Sequence, residues 1–190
     1  MKSLIVTEGK LVQLLLEGIL RSEPRLRGRY KVVAGGSGSS AVPLARTYLV
    51  TRDARVVLVT DADTDGSEDV PTQRLQLVEA LGSVAAADRY LALVAVPAVE
   101  GLLFSDRKLA ESLFDRKFTA AEWKEARRGP KAMLAKLIGG DPTNAVSVSK
   151  FQRFLLRHDL TPFVQAPLVK EIKNFVLRPA ALDSGVIIYH

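Results

Sequence analysis

Not one cysteine occurs among the 190 residues. Disulfides, thiolate zinc sites and cysteine nucleophiles are therefore excluded together. Histidine is almost as scarce, with only His158 and the terminal His190. Histidine metal clusters and histidine-based triads need more than that. No apolar run approaches the roughly 18–20 residues that a bilayer span requires. The start, MKSLIVTEGK, has too short an apolar stretch for a secretory signal, so a cytoplasmic chain without a membrane partner is expected. No G-x-x-x-x-G-K-[ST] phosphate loop occurs, which removes the commonest nucleotide-hydrolysing motif. Any chemistry must rest on carboxylates, lysine and metal-bound water.

What is present reads as an ordinary globular chain. Apolar residues make up 47% and charged residues 25%, so wholesale disorder is excluded. The length suits one well-buried domain, or one domain with an appended lobe. The net charge of +6 favours a polyanionic partner. It is unevenly placed. Arg21, Arg25, Arg27, Arg29 and Lys31 form one cluster, and Lys117, Lys124, Arg127, Arg128, Lys131 and Lys136 form another.

Strand and helix patterns alternate through the first half, which predicts a mainly parallel sheet with crossover helices. Strands are expected at Ser3–Thr7, Tyr30–Ala34, Val56–Asp61 and Tyr90–Val96. Leu11, Leu14, Leu15, Gly18 and Ile19 recur at helical spacing after the first strand. GGSGSS at 35–40 reads as a tight left-handed glycine turn before a helix from about Ala41 to Tyr48. Its N–H groups also offer a phosphate cradle, although it carries no Walker lysine and is not G-x-G-x-x-G. A third helix is expected after Gly66, carrying Leu75, Leu77, Val78 and Leu81 before Gly82. Helices then dominate: Asp106–Phe114, a capping box at Thr119 and Glu122, Lys131–Ile138, Ser147–Arg157 and Pro167–Leu177. Val186–Tyr189 reads as an apolar tail.

The stretch Val56–Gly66, VVLVTDADTDG, carries the chemistry. A β-branched run reads as a buried strand, and the carboxyl ends of parallel strands are where ligands bind. Asp61 and Asp63 are two apart, so their carboxylates can point the same way. Clustered carboxylates repel unless a cation sits between them, and hard oxygen donors favour Mg²⁺ or Mn²⁺. Removing one of them is therefore expected to leave stability equal or improved in the absence of metal. Asp65 reads as the N-cap of the next helix, and Asp69 as a surface charge near its start. Glu8 follows the first strand in the same way, in SLIVTEGK. Alone it would read as a helix N-terminal carboxylate.

Together, TEGK and TDADTDG, in that order and strand context, resemble a TOPRIM domain over roughly Met1–Phe104. The resemblance implies a compact, mainly parallel four-stranded sheet flanked by helices. It also implies that Asp61 and Asp63 hold a divalent ion, with Glu8 as ligand or general acid and base. VPAVEGLLF resembles the fourth-strand motif of OLD-like nuclease modules, which implies Glu100 as a second-metal ligand. Lys131 is the candidate for the downstream lysine that such modules use to stabilise developing charge. A second acid is usual one helical turn after the first glutamate, and here that place is Val12.

The implied activity is metal-dependent cleavage of DNA or RNA. OLD proteins fuse this module to an ABC-type ATPase, so a separate ATPase subunit is implied, as in split anti-phage defence systems. Two alternatives stand beside it: a non-catalytic TOPRIM-like subunit that binds nucleic acid, and a ribosomal-RNA maturation nuclease. The expected organisation is a metal-binding domain over 1–105 and a helical extension over 106–190. The extension's apolar faces (Phe151, Phe154 and Leu155; Phe163, Leu168, Ile172 and Phe175) either pack inward or dock the ATPase or a second copy of the chain. His158 and Trp123 read as packing residues.

Overall fold

Buried β-branched runs build the centre of the molecule. The structure, a computed structural model, describes residues 2–36, 38–52, 54–62, 70–140, 144–178 and 186–189, with the backbone alone at 38 and 186–189. Strands β1 (Ser3–Thr7), β3 (Val56–Asp61) and β4 (Tyr90–Ala95) are buried at every position, as expected where both faces of a parallel sheet are covered. β2 (Tyr30–Ala34) lies at one edge and β5 (Val186–Tyr189) at the other. All neighbours are parallel, in the order β2-β1-β3-β4-β5. The four expected strands thus form the sheet in the order 2-1-3-4, and the apolar tail is a fifth strand paired to β4.

Alternation along the strands divides the core. Ile5, Val57, Val59, Leu91 and Leu93 face one side, while Leu4, Val6, Val56, Leu58, Ala92 and Val94 face the other. The second side is covered by α2 (Gly38–Thr51) and α3 (Val70–Gly82) through Ala41, Ala45, Leu49, Leu77 and Leu81. α3 departs from its expected pattern: Leu75 is 58% and Val78 41% exposed. The buried stripe of α3 is Val70, Leu77 and Leu81, narrower than the apolar content suggested.

The first side is covered by α1 (Lys10–Arg21) and by the later helices. These are α4 (Arg107–Leu113), α5 (Ala120–Arg128), α6 (Pro130–Ile138), α7 (Ala145–Arg157) and α8 (Pro167–Leu177). Phe151, Leu155, Phe163, Leu168, Ile172 and Phe175 are all buried in the same core as Ile5 and Leu15. The apolar faces of the helical half therefore pack inward. Arg55, before β3, donates to the Arg178 carbonyl at 2.7 Å and lies over the Phe175 ring at 4.2 Å, which ties α8 to the sheet. Trp123 packs against Phe118 and Phe104, and His158 lies on the Phe154 ring with Nδ1 2.8 Å from that residue's carbonyl. No helix among the described residues is long and apolar enough to cross a membrane.

Candidate metal centre

Register places the acidic residues together. Thr7 of β1 lies opposite Val59 of β3, and Asp61 lies opposite Ala95 of β4, so all three strands end at one edge of the sheet. Glu8 is the first residue beyond β1. Its Oε1 accepts the backbone N–H of Asp61 at 3.1 Å. Asp61 closes β3 and is 2% exposed. Its Oδ1 accepts the Val99 N–H at 2.7 Å, and its Oδ2 lies 2.8 Å from Nζ of Lys131. Its carbonyl accepts from Nε2 of Gln73 on α3 at 2.8 Å.

Glu100 reaches the same place from the 3-10 turn Val99–Phe104, which follows β4. It is buried, and its Oε2 has no hydrogen-bond partner among the described residues. Burial is the main cause that pushes its carboxyl up to about 7. The Asp61 charge adds to the rise, while its own backbone N–H and Lys131 oppose it and Glu8 adds a little more.

Glu8, Asp61, Glu100 and Lys131 are thus brought to one edge by β1, β3, the turn after β4, and α6. Asp63, Asp65 and Asp69 lie outside the described residues. Val12 is 4% exposed and packs in the core, so no acid is supplied there. Among the described residues no three acidic or histidine side chains converge closely enough to hold an ion by themselves. The donor set nonetheless fits a hard divalent cation. Every donor is a carboxylate oxygen, and Glu100 Oε2 is a buried acceptor that a cation would satisfy.

Gln73 and the Val99 N–H are the contacts that the sequence did not reveal. A glutamine in the first turns of a helix carries no signal of a bond to a carbonyl twelve residues earlier. The glycine turn after β2 has its own reason. A Cβ on Gly35 would stand 2.7 Å from Ala41 Cα, and Gly36 has φ +100°. Both positions need glycine for the close entry into α2.

The basic clusters divide between the ends of the sheet. Lys131 opens α6 at the acidic edge, and Lys124 and Arg127 are exposed on the preceding α5. Arg27, Arg29 and Lys31 instead flank the start of β2, at the opposite edge, where the Ser3 N–H donates to the Arg29 carbonyl at 2.8 Å.

The four strands expected from the sequence thus lie in the order 2-1-3-4, with Glu8 following the first and Asp61 closing the third. The chain has the fold of the C-terminal region of the Burkholderia pseudomallei OLD protein. The match covers 92% of this chain and 96% of that one, with a TM-score of 0.55 and 17% sequence identity. No family model and no curated protein matches the sequence.

Proposed function

We propose that the chain is a divalent-metal-dependent nuclease module that hydrolyses phosphodiester bonds at the Glu8–Asp61–Glu100 edge. The observation that carries the reading is Glu100 Oε2, a buried carboxylate oxygen without a hydrogen-bond partner among the described residues, beside Asp61 and Glu8 in this fold. Mg²⁺ or Mn²⁺ bound there would activate water and neutralise charge on the phosphate. Asp61, with Asp63, would hold it, and Glu100 would complete the acidic set. Asp61 is aimed by Val99 and fixed in register by Glu8 and Gln73. Glu8 would ligate the ion or take a proton from the attacking water. Lys131 supplies a positive charge at the open edge, where charge develops on the phosphate.

The resemblance to OLD proteins extends the proposal to an ATPase subunit carried on another chain and to a role in anti-phage defence. A second reading, a silent nucleic-acid-binding subunit, is favoured by Val12, which packs in the core where a further acid would complete a second ion site. Incubation of labelled DNA and RNA with the chain, alone and with its neighbouring gene product, separates the two. Cleavage in Mg²⁺ or Mn²⁺ that stops with a chelator is the expected result. Binding without cleavage under every condition would establish the silent subunit instead.

A further inference from the structure

We propose that an apolar pocket beside the acidic edge receives one unpaired nucleobase, so that the module acts on single-stranded nucleic acid rather than within an intact duplex. The proposal names the substrate class of the nuclease reading and rests on it for the place of the scissile phosphate. The pocket measures about 220 Å³ and opens between the turn after β4, the C-terminal part of α5 and the start of α8. Sites that enclose whole small-molecule ligands hold ~300–1,000 Å³. This one takes a part of a nucleotide.

The pocket wall is continuous with the candidate metal centre. Ala95, opposite Asp61 in the sheet, lines the pocket, and so does Val99, whose N–H holds Asp61 Oδ1. Gly101 lines it too, while Glu100, between Val99 and Gly101, belongs to the acidic set. One short turn therefore presents an acid to one side and an apolar wall to the other. Consecutive Cα atoms are about 3.8 Å apart, so a phosphate held at the acids leaves the base of an adjoining nucleotide within reach of the pocket.

The lining decides which part of the nucleotide fits. Val96, Pro97, Leu102, Phe104 and Leu168 are apolar, and among the described residues the only polar side chains that line the pocket are Ser105 and Arg127. The Ser105 hydroxyl already donates to the Leu102 carbonyl at 2.8 Å. A phosphate would lose its water there with few groups to replace it. A base has apolar faces that gain from burial, and the guanidinium of Arg127 suits stacking on it. That one charged group is a cation, which matches a polyanionic strand better than an apolar protein segment. With so few polar groups the pocket senses shape rather than a base's hydrogen-bonding edge, so little sequence preference is expected. A base inside a duplex cannot enter without leaving its stack.

The test is fluorescence anisotropy of the intact chain with two labelled single strands of equal length, one ordinary and one abasic throughout, in chelator and low salt. Both carry the same phosphates, so the bases alone make the difference. The ordinary strand is expected to bind at least five-fold more tightly. Ala166→Met and Ser105→Leu, which fill the pocket from two walls, are expected to abolish that preference and leave abasic binding unchanged. A strand carrying 4-thiouracil, crosslinked by light and mapped by mass spectrometry, is expected to attach within residues 95–105. Should the variants fail to fold, the crosslink on the wild type decides. Equal binding of the two strands, or attachment only elsewhere, overturns the base pocket. So does a preference that survives in both folded variants, and their loss of binding to the neighbouring gene product would then assign the pocket to a protein partner. Cleavage in Mn²⁺ is scored separately. Cleavage without base preference leaves the nuclease reading standing, and base preference without cleavage overturns that reading alone.

Discussion

Asp61 is held by its N–H, its carbonyl and both carboxylate oxygens, and this changes what its removal should do. Repulsion among carboxylates alone implied that losing one costs nothing. Lys131 and the Val99 N–H compensate that repulsion, so Asp61→Ala leaves a buried N–H without an acceptor and is expected to cost about 1–3 kcal/mol. Chemical denaturation checks this. Asp61→Asn keeps an acceptor for Val99 and should fold nearly as well. Glu100 gives a pH-dependent companion. Its folded carboxyl is raised from 4.5 to about 7, so the metal-free fold binds its proton more tightly than the unfolded chain does. That contribution is complete below the unfolded value and is lost as pH rises through 7. Without metal, Glu100→Gln should therefore gain stability relative to wild type between pH 5 and 8, by on the order of 2–3 kcal/mol. Denaturation midpoints at the two pH values in chelator measure it, and a constant difference would contradict the burial argument.

At the scale of elements, legibility followed local signal. The capping box at α5 was readable because its chemistry is confined to four residues. Thr119 Oγ1 accepts the Glu122 N–H at 3.1 Å, and Glu122 Oε2 accepts the Thr119 N–H at 2.8 Å. Thr119→Ala is expected to cost about 1 kcal/mol, read as a shift of the denaturation midpoint at constant slope. The first four strands were readable because apolar runs bounded by turn residues recur in βα alternation. β5 was not. Its four residues carry no periodicity, and its partner β4 lies some ninety residues earlier, beyond any local pattern. The exposed Leu75 and Val78 show the converse, where apolar residues at helical spacing find no surface to cover. At the candidate metal centre, the positions of Glu8 and Asp61 at strand ends were legible. The Gln73 and Val99 contacts arise from packing between elements, which the order of residues does not encode locally.

The whole molecule places its two basic clusters at opposite edges of the sheet, and only one adjoins the acids. Lys124→Ala with Arg127→Ala is expected to weaken nucleic-acid binding about ten-fold and to flatten its salt dependence, since each lost phosphate contact lowers the slope. Arg27→Ala with Arg29→Ala should leave binding within about two-fold if the track runs along α5 and α6 alone. Fluorescence anisotropy over a salt series separates these outcomes. The account's central claim is that the edge bearing Glu8 and Asp61 cleaves phosphodiesters with a bound divalent ion. Its most direct test is cleavage of labelled nucleic acid in Mn²⁺ by wild type, Glu8→Gln and Asp61→Asn, with folding checked by circular dichroism. Both substitutions keep the oxygen that accepts a backbone N–H and remove the charge that would hold or serve the ion. Folded proteins with cleavage reduced at least 100-fold are expected. Folded variants that both cut at the wild-type rate would contradict the account.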